Sequence, residues 1–197
     1  MRKRELLIAA GFLLLTAIGL LLAFWPQGLS RAEKTAILEL SGHPFSAFQD
    51  ISKEALAGRK DKFPAARLVL TAGGVYAFII RPEGYYAAID LVVVIDSNSQ
   101  IIKGVRIVRH RESREYVRDF DSGWFAEPFT NKSPTAYFRL ARLRASLPEE
   151  IDIITGATIT SQAVVNGVNT ALGVYREYVL GLESEAVPER VDGYIRL

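Results

Sequence analysis

From Leu6 to Trp25 the chain runs for twenty residues, LLIAAGFLLLTAIGLLLAFW, without a single charge. A helix needs about that length to cross a bilayer core of about 30 Å. Trp25 stands where an interfacial aromatic belongs, and Pro26 with Gly28 ends the helix. Arg2, Lys3 and Arg4 precede the run, whereas Arg31 and Lys34 follow it diluted by Glu33. The positive-inside rule then keeps the N-terminus in the cytoplasm and places everything after about residue 26 outside. A cleaved signal peptide would carry a shorter apolar region and a small-x-small site, which AFWPQG does not provide. A buried core helix would show a polar face, and this segment has only Thr16. Residues 1–27 are therefore expected to be an uncleaved single-pass anchor in the inner (cytoplasmic) membrane, with the rest of the chain on its periplasmic or extracellular side.

The remainder has to fold on one side of that anchor, and its composition suits one domain. Hydrophobic residues make up 49% and charged residues 23% of the 197, a globular balance. There is no cysteine, which excludes disulfides, thiolate-held zinc, iron–sulfur clusters, c-type haem attachment and a lipoprotein anchor. With His43 and His110 as the only histidines, no metal site is expected. Arg2, Lys3, Arg4 and Glu5 account for the whole net charge of +2. The neutral body that remains is no nucleic-acid surface.

Local patterns predict an α+β domain over about residues 35–182, an antiparallel sheet with flanking helices, followed by a charged C-terminal tail, 183–197, read as an arm. FSAFQDISKEALAG, Phe45 to Gly58, reads as an amphipathic helix ended by glycine. GGVYAFII reads as a strand turning at Pro82–Gly84, and two further β-branched runs flank the turn formers Asp96, Ser97 and Asn98. From Ser122 to about Pro134 the chain reads as loop, and PTAYFRLARLRASL as helix. The last helix is expected to start at Thr160, with an apolar stripe through Val164, Val168, Leu172, Tyr175 and Val179, and to close at Gly181.

At the entrance to that helix stands DIITGATITS, Asp152 to Ser161, with four hydroxyl residues around one glycine. One reading is a capped helix, Thr160 or Ser161 accepting a first-turn N–H while Gly156 supplies an unusual backbone angle. The other is an anion site, where free N–H groups and the positive end of the helix dipole hold a phosphate. No lysine follows the glycine as in a P-loop, and there is no G-x-S-x-G nucleophile elbow.

Asp152-Ile153-Ile154-Thr155-Gly156-Ala157-Thr158 fits the pattern D-x-x-[ST]-G-A-[ST]. It resembles the flavinylation motif of the FMN-binding domain found in the G subunit of the Rnf complex and in the C subunit of the sodium-pumping NADH:quinone reductase. EGYYAAIDLVVVID, IIKGVRIVRHRES and the following helix are similar to that family in order and spacing, over about residues 75–115 and 150–180. The resemblance implies that Thr158 carries FMN through a phosphoester bond, made outside the cytoplasm by a flavin transferase with FAD as donor and a divalent metal. It implies Thr155, Gly156, Ala157, Thr160 and Glu112 as cofactor-binding residues, with no catalytic residue on this chain. Asp152 would cap the turn or assist the transferase's metal. The family's Glu-Thr-Pro-Gly-Leu-Gly run departs here: Glu112 matches, but Ser113-Arg114-Glu115-Tyr116-Val117 follows it.

The function this implies is that of a membrane-anchored electron carrier with covalent FMN, working within an ion-translocating ferredoxin:NAD oxidoreductase of the Rnf type. Its partners would be the other membrane subunits and the transferase. The alternatives are a flavin-bearing redox sensor of another membrane chain, and an anchored structural protein with an ordinary helix cap. Arg106, Arg109, His110, Arg111, Arg114 and Arg118 read as solvated positions or as a charge near the flavin; Trp124, Phe125 and Phe129 read as core cover or as rings stacking on it.

Overall fold

Two glycines fold the middle of the sheet. Gly73 and Gly74 both take positive φ, 56° and 86°, the geometry of a two-residue hairpin turn. They join β2 (Ala66–Ala72) to β3 (Val75–Ile80) in antiparallel register, Ala72 opposite Val75. The computed structural model describes residues 28–190 apart from Ser122, Arg142 and Leu143. The expected anchor at Leu6–Trp25 lies outside the described residues; among these, no helix is long and apolar enough to cross a membrane.

With β1 (Gln49–Asp50), β4 (Asp90–Asp96) and β5 (Ile101–Arg109), the hairpin forms a five-stranded antiparallel meander in the order β1-β2-β3-β4-β5. The expected Asp96–Asn98 turn is present: Asp96 Oδ1 accepts the Asn98 N–H at 2.9 Å. Asn98 Nδ2 donates to Gly73 O at 3.0 Å and ties this turn to the neighbouring one.

Interior strand β4 is buried from Leu91 through Ile95, without the alternation of a half-exposed strand. Both faces are covered. Helix α1 (Arg31–Ser41) packs on β3, β4 and β5, and the long helix α4 (Thr158–Tyr178) packs on β2, β3 and β4. Leu91, Val93 and Ile95 join the main core under α4, with Val69, Phe78 and Ile80.

Helix α4 is buried almost all round, from Thr160 to Tyr175 apart from Gln162. Its glycines allow the close approach: a Cβ at Gly167 would strike Leu91, and one at Gly173 would strike the ring of buried Phe63. Asn169, 1% exposed, grips a neighbouring segment by its backbone. Its Oδ1 accepts the Phe138 N–H at 2.9 Å, and its Nδ2 donates to Phe138 O at 2.8 Å.

Several local expectations give way to tertiary contacts. The helix expected over Phe45–Gly58 is a 3₁₀ turn (Phe45–Ala47), strand β1 and the short helix α2 (Ser52–Ala55). Asp50 Oδ1 accepts the Ser52 N–H at 2.8 Å, and Ser52 Oγ accepts the Val69 N–H at 2.9 Å. Such local side-chain bonds compete with a continuous helix. PTAYFRLARLRASL is not helical where described: Arg139–Leu140 is strand β6, paired in parallel with β7 (Glu150–Ile151). Strand β2 and helix α1 were not among the expected elements. Helix α3 (Arg114–Asp121) follows β5, and in the expected loop Glu127–Phe129 makes a 3₁₀ turn. The segment after residue 182, read as an arm, is tied down as far as Arg190: Val187 is buried, its N–H donates to Lys62 O at 2.9 Å, and the Glu83 N–H donates to Glu189 O at 2.9 Å.

Candidate functional site

The turn before α4 is shaped by Gly156, whose φ of 79° is a left-handed conformation that costs other residues about 1–2 kcal/mol. The Ala157 N–H closes the turn on Ile154 O at 2.9 Å, and the Ser161 N–H opens the helix on Ala157 O at 2.8 Å. Helix α4 thus starts at Thr158, two residues before the expected position, with Ala157 as N-cap and no side-chain cap. Neither Thr160 nor Ser161 caps it. Ser161, fully buried, accepts the Ile154 N–H on Oγ at 3.2 Å and pins the turn to the helix. Asp152 does not cap this turn either; its Oδ1 accepts the Ala145 N–H at 2.5 Å and holds the preceding loop.

Thr160 is also turned inward. Its Oγ1 donates to Glu112 Oε2 at 2.6 Å, and Glu112 Oε1 accepts the Tyr86 N–H at 3.0 Å. Glu112 is 7% exposed, so this carboxylate is a buried strut between α4, the β3–β4 connection and the end of β5. Two of the four hydroxyls are therefore spent inside the fold. The others, on exposed Thr155 and half-buried Thr158, make no hydrogen bond among the described residues.

A cavity of about 410 Å³ opens here, lined by Glu112, Ser113, residues 156–160 and the tyrosines Tyr85 and Tyr86. That lies within the roughly 300–1,000 Å³ of small-molecule sites. The N–H groups of Thr158, Ile159 and Thr160 belong to an uncapped first turn, where a helix favours an anion. Tyr85 and Tyr86 are 59% and 65% exposed and meet edge to face, ring centroids 4.7 Å apart. Sequence reading missed both; their signal is a doubled tyrosine directly after Gly84 in a turn.

Gly84 is what lets the strut in. A Cβ there would lie 2.6 Å from Glu112 Oε1 and 2.7 Å from Ala87 O. Gly84→Ala is expected to cost about 1–3 kcal/mol through this overpacking. Thermal unfolding of the variant checks it, and an unchanged midpoint would show that Glu112 simply swings aside.

The remaining candidates fall elsewhere. Arg106 pairs with Glu39 at 3.1 Å and Arg109 with buried Asp90 at 2.7 Å, so both serve the ion pairs of the sheet. Arg111, Arg114 and Arg118 are exposed and line none of the cavity. The His110 ring meets Phe120 edge-on, and among the described residues no group of side chains could hold a metal ion. Phe125 and Phe129 belong to the core. Trp124, half-exposed, lines a different cavity.

Residues 84–173, which include every residue of the Thr158 cavity, match the FMN-binding domain family. Among curated proteins, the chain is similar to the G subunit of the ion-translocating oxidoreductase complex of Buchnera aphidicola: 34% identical over 99 residues, 47% of this chain and 44% of the relative. It is also 32% identical over 97 residues to the G subunit of the Na(+)-translocating ferredoxin:NAD(+) oxidoreductase complex of Acetobacterium woodii, covering 48% and 45% of the two chains. The chain spans about half the length of the curated relatives it matches. Among solved structures, the C subunit of the Na(+)-translocating NADH-quinone reductase of Parabacteroides distasonis aligns with a TM-score of 0.44 at 20% identity, over 56% of this chain and 60% of that one.

Proposed function

We propose that this chain, which carries an FMN-binding domain distantly homologous to the G subunits of ion-translocating oxidoreductase complexes, holds FMN covalently on Thr158. It acts as the electron-carrying member of a complex of that kind, anchored in the cytoplasmic membrane by Leu6–Trp25 with its domain outside.

The carrying observation is the state of the Thr158 hydroxyl: at the first residue of an uncapped helix, on a cavity wall, and free of internal hydrogen bonds among the described residues. The donor set suits a phosphoester. First-turn N–H groups hold a charge that persists after the ester forms, and Gly156 lets a ligand approach the backbone closely. Thr155 is exposed on the same turn but is not among the residues lining the cavity. Glu112 and Thr160 brace one another while both line the cavity, and each keeps acceptor capacity toward a ligand. Tyr85 and Tyr86 supply aromatic surface at the mouth.

Loading is a balanced transfer. Thr158 Oγ would bond to the FMN phosphorus of FAD as the diphosphate linkage breaks, with AMP leaving and the hydroxyl proton released. The bound flavin supplies the redox chemistry, and the chain supplies position and electrostatics. Covalent attachment keeps the cofactor on an exported domain where free FMN is scarce.

Co-expression of the full chain with a flavin transferase is expected to give a band that still fluoresces as flavin after denaturation, and none when the transferase is omitted. A dark band from cells whose transferase labels another substrate would overturn the covalent reading.

A further inference from the structure

Strand β5 forms one edge of the sheet, and the direction of its amides follows from bonds on the far side of β4. The Ile89 N–H donates to Pro82 O and the Ser97 N–H to Gly74 O, both at 2.9 Å and both toward β3. Between them β4 keeps unbroken register with β3, so Leu91, Val93 and Ile95 point their amides the same way, and Val92 and Val94 point theirs toward β5. Arg106 and Gly104, opposite Val92 and Val94, therefore make the ladder bonds. Val105 and Ile107, opposite Val93 and Leu91, turn their N–H and C=O groups outward. Ile102, opposite Ile95, obeys the same parity: its N–H donates to Lys132 O and its carbonyl accepts from the Asn131 N–H, both at 2.9 Å.

Past Ile102 the covering segment still packs beside β5 at the 3₁₀ turn Glu127–Phe129, but makes no further backbone bond to it among the described residues. No hydrogen bond among the described residues engages the outward groups of Val105 or Ile107. The unpaired stretch lies in a groove: Gly104 and Val105 are buried, and Arg106 and Ile107 reach its surface. A cavity of about 720 Å³ runs along Gly104–Ile107 between Leu40 and Trp124. A second, of about 510 Å³, continues along Arg106–Val108 beneath α1. Exposed edges of this kind are normally blunted or covered.

We propose that this edge docks an extended segment of a partner protein, which adds to the sheet as a sixth strand beside β5 and carries alternating apolar and acidic side chains. The outward amides supply the backbone bonds that make strand addition sequence-tolerant. One face of the added strand meets Phe120 and Trp124, hence the apolar residues. The other passes Arg106, which meets Glu39 through Nη2 at 3.1 Å and keeps the rest of its five-donor fork half-exposed toward the groove, hence the acidic ones. A second copy of this chain is a poorer occupant, because antiparallel self-pairing centred on Arg106 sets that arginine directly opposite its own copy.

The probe is a ten-residue peptide of alternating valine and glutamate, added to the purified full chain in detergent, with amide hydrogen exchange read at Val105 and Ile107. Exchange at both is expected to slow at least tenfold, and not at all with a peptide N-methylated at alternate amides. Ile107→Pro removes an outward donor while sparing the ladder to β4, and is expected to weaken peptide binding at least tenfold. Ile107→Ala, which keeps the donor, should change it less than threefold. Arg106→Glu should reverse the preference toward a valine–lysine peptide. Unchanged exchange with the peptide overturns the proposal, as does equal binding by the proline, alanine and wild-type chains. Protection before any peptide is added would show that the chain covers its own edge, and a dimer protected at Val105 would show self-pairing; either result also overturns it.

Discussion

Thr158→Ala is expected to give a protein that folds as the wild type does and carries no covalent flavin. The two halves of this expectation have separate grounds. Stability should change by less than about 0.5 kcal/mol, because the hydroxyl makes no internal hydrogen bond among the described residues and alanine suits a helix's first turn. Labelling should fall to background, because an alanine offers no oxygen for the phosphoester. Thr158→Ser keeps the oxygen and should keep labelling, while Thr155→Ala should be labelled nearly as well as wild type. In-gel fluorescence after denaturation reads the flavin, and a thermal melt of the same samples reads the fold. Persistent fluorescence in Thr158→Ala would move the attachment to another residue, with Thr155 the first to examine.

Asn169→Leu should destabilise the domain by about 2–5 kcal/mol, since it strands two backbone groups in a buried place. Leucine keeps the branching of asparagine but is bulkier, so some overpacking at this buried position adds to the loss. What is lost is the pair of bonds to the Phe138 N–H and carbonyl, at 2.9 and 2.8 Å. For a domain of this size the midpoint should fall by about 5–15 °C. Asn166→Leu is the control: one helical turn earlier and also buried, it accepts from the Gln162 side chain at 2.8 Å and reaches Pro188 O only at 3.5 Å, so it strands no short backbone bond and should cost markedly less. Equal losses at the two positions would mean that the Phe138 clamp adds nothing beyond the burial that both asparagines share.

The same clamp explains where sequence reading succeeded and where it failed. Strands β3, β4 and β5 were legible because β-branched runs end at turn formers, and the stripe from Val164 to Tyr175 announced α4. The segment around Phe138 misled because its backbone partner, Asn169, is remote in sequence and gives no local sign. Asp50, accepting the Ser52 N–H, and Ser52, accepting the Val69 N–H, likewise broke an apparently amphipathic helix.

At the site, the turn, the glycine and the hydroxyls could be picked out directly. The division of labour among them could not. That Thr160 serves Glu112, while Thr158 bonds to none of the described residues, follows from a contact across 48 positions of sequence. The pair Tyr85 and Tyr86 escaped notice because two tyrosines in a turn read as ordinary surface until the fold brings them to the cavity.

The separation of inward from outward hydroxyls also sets an order of events. Ser161 and Thr160 complete the architecture of the turn using only atoms of the chain, so the domain is a finished object before any flavin reaches it. On the proposed function, a maturation enzyme would meet a presented substrate rather than a folding intermediate, and cells starved of flavin would hold a stock of blank carriers ready for loading.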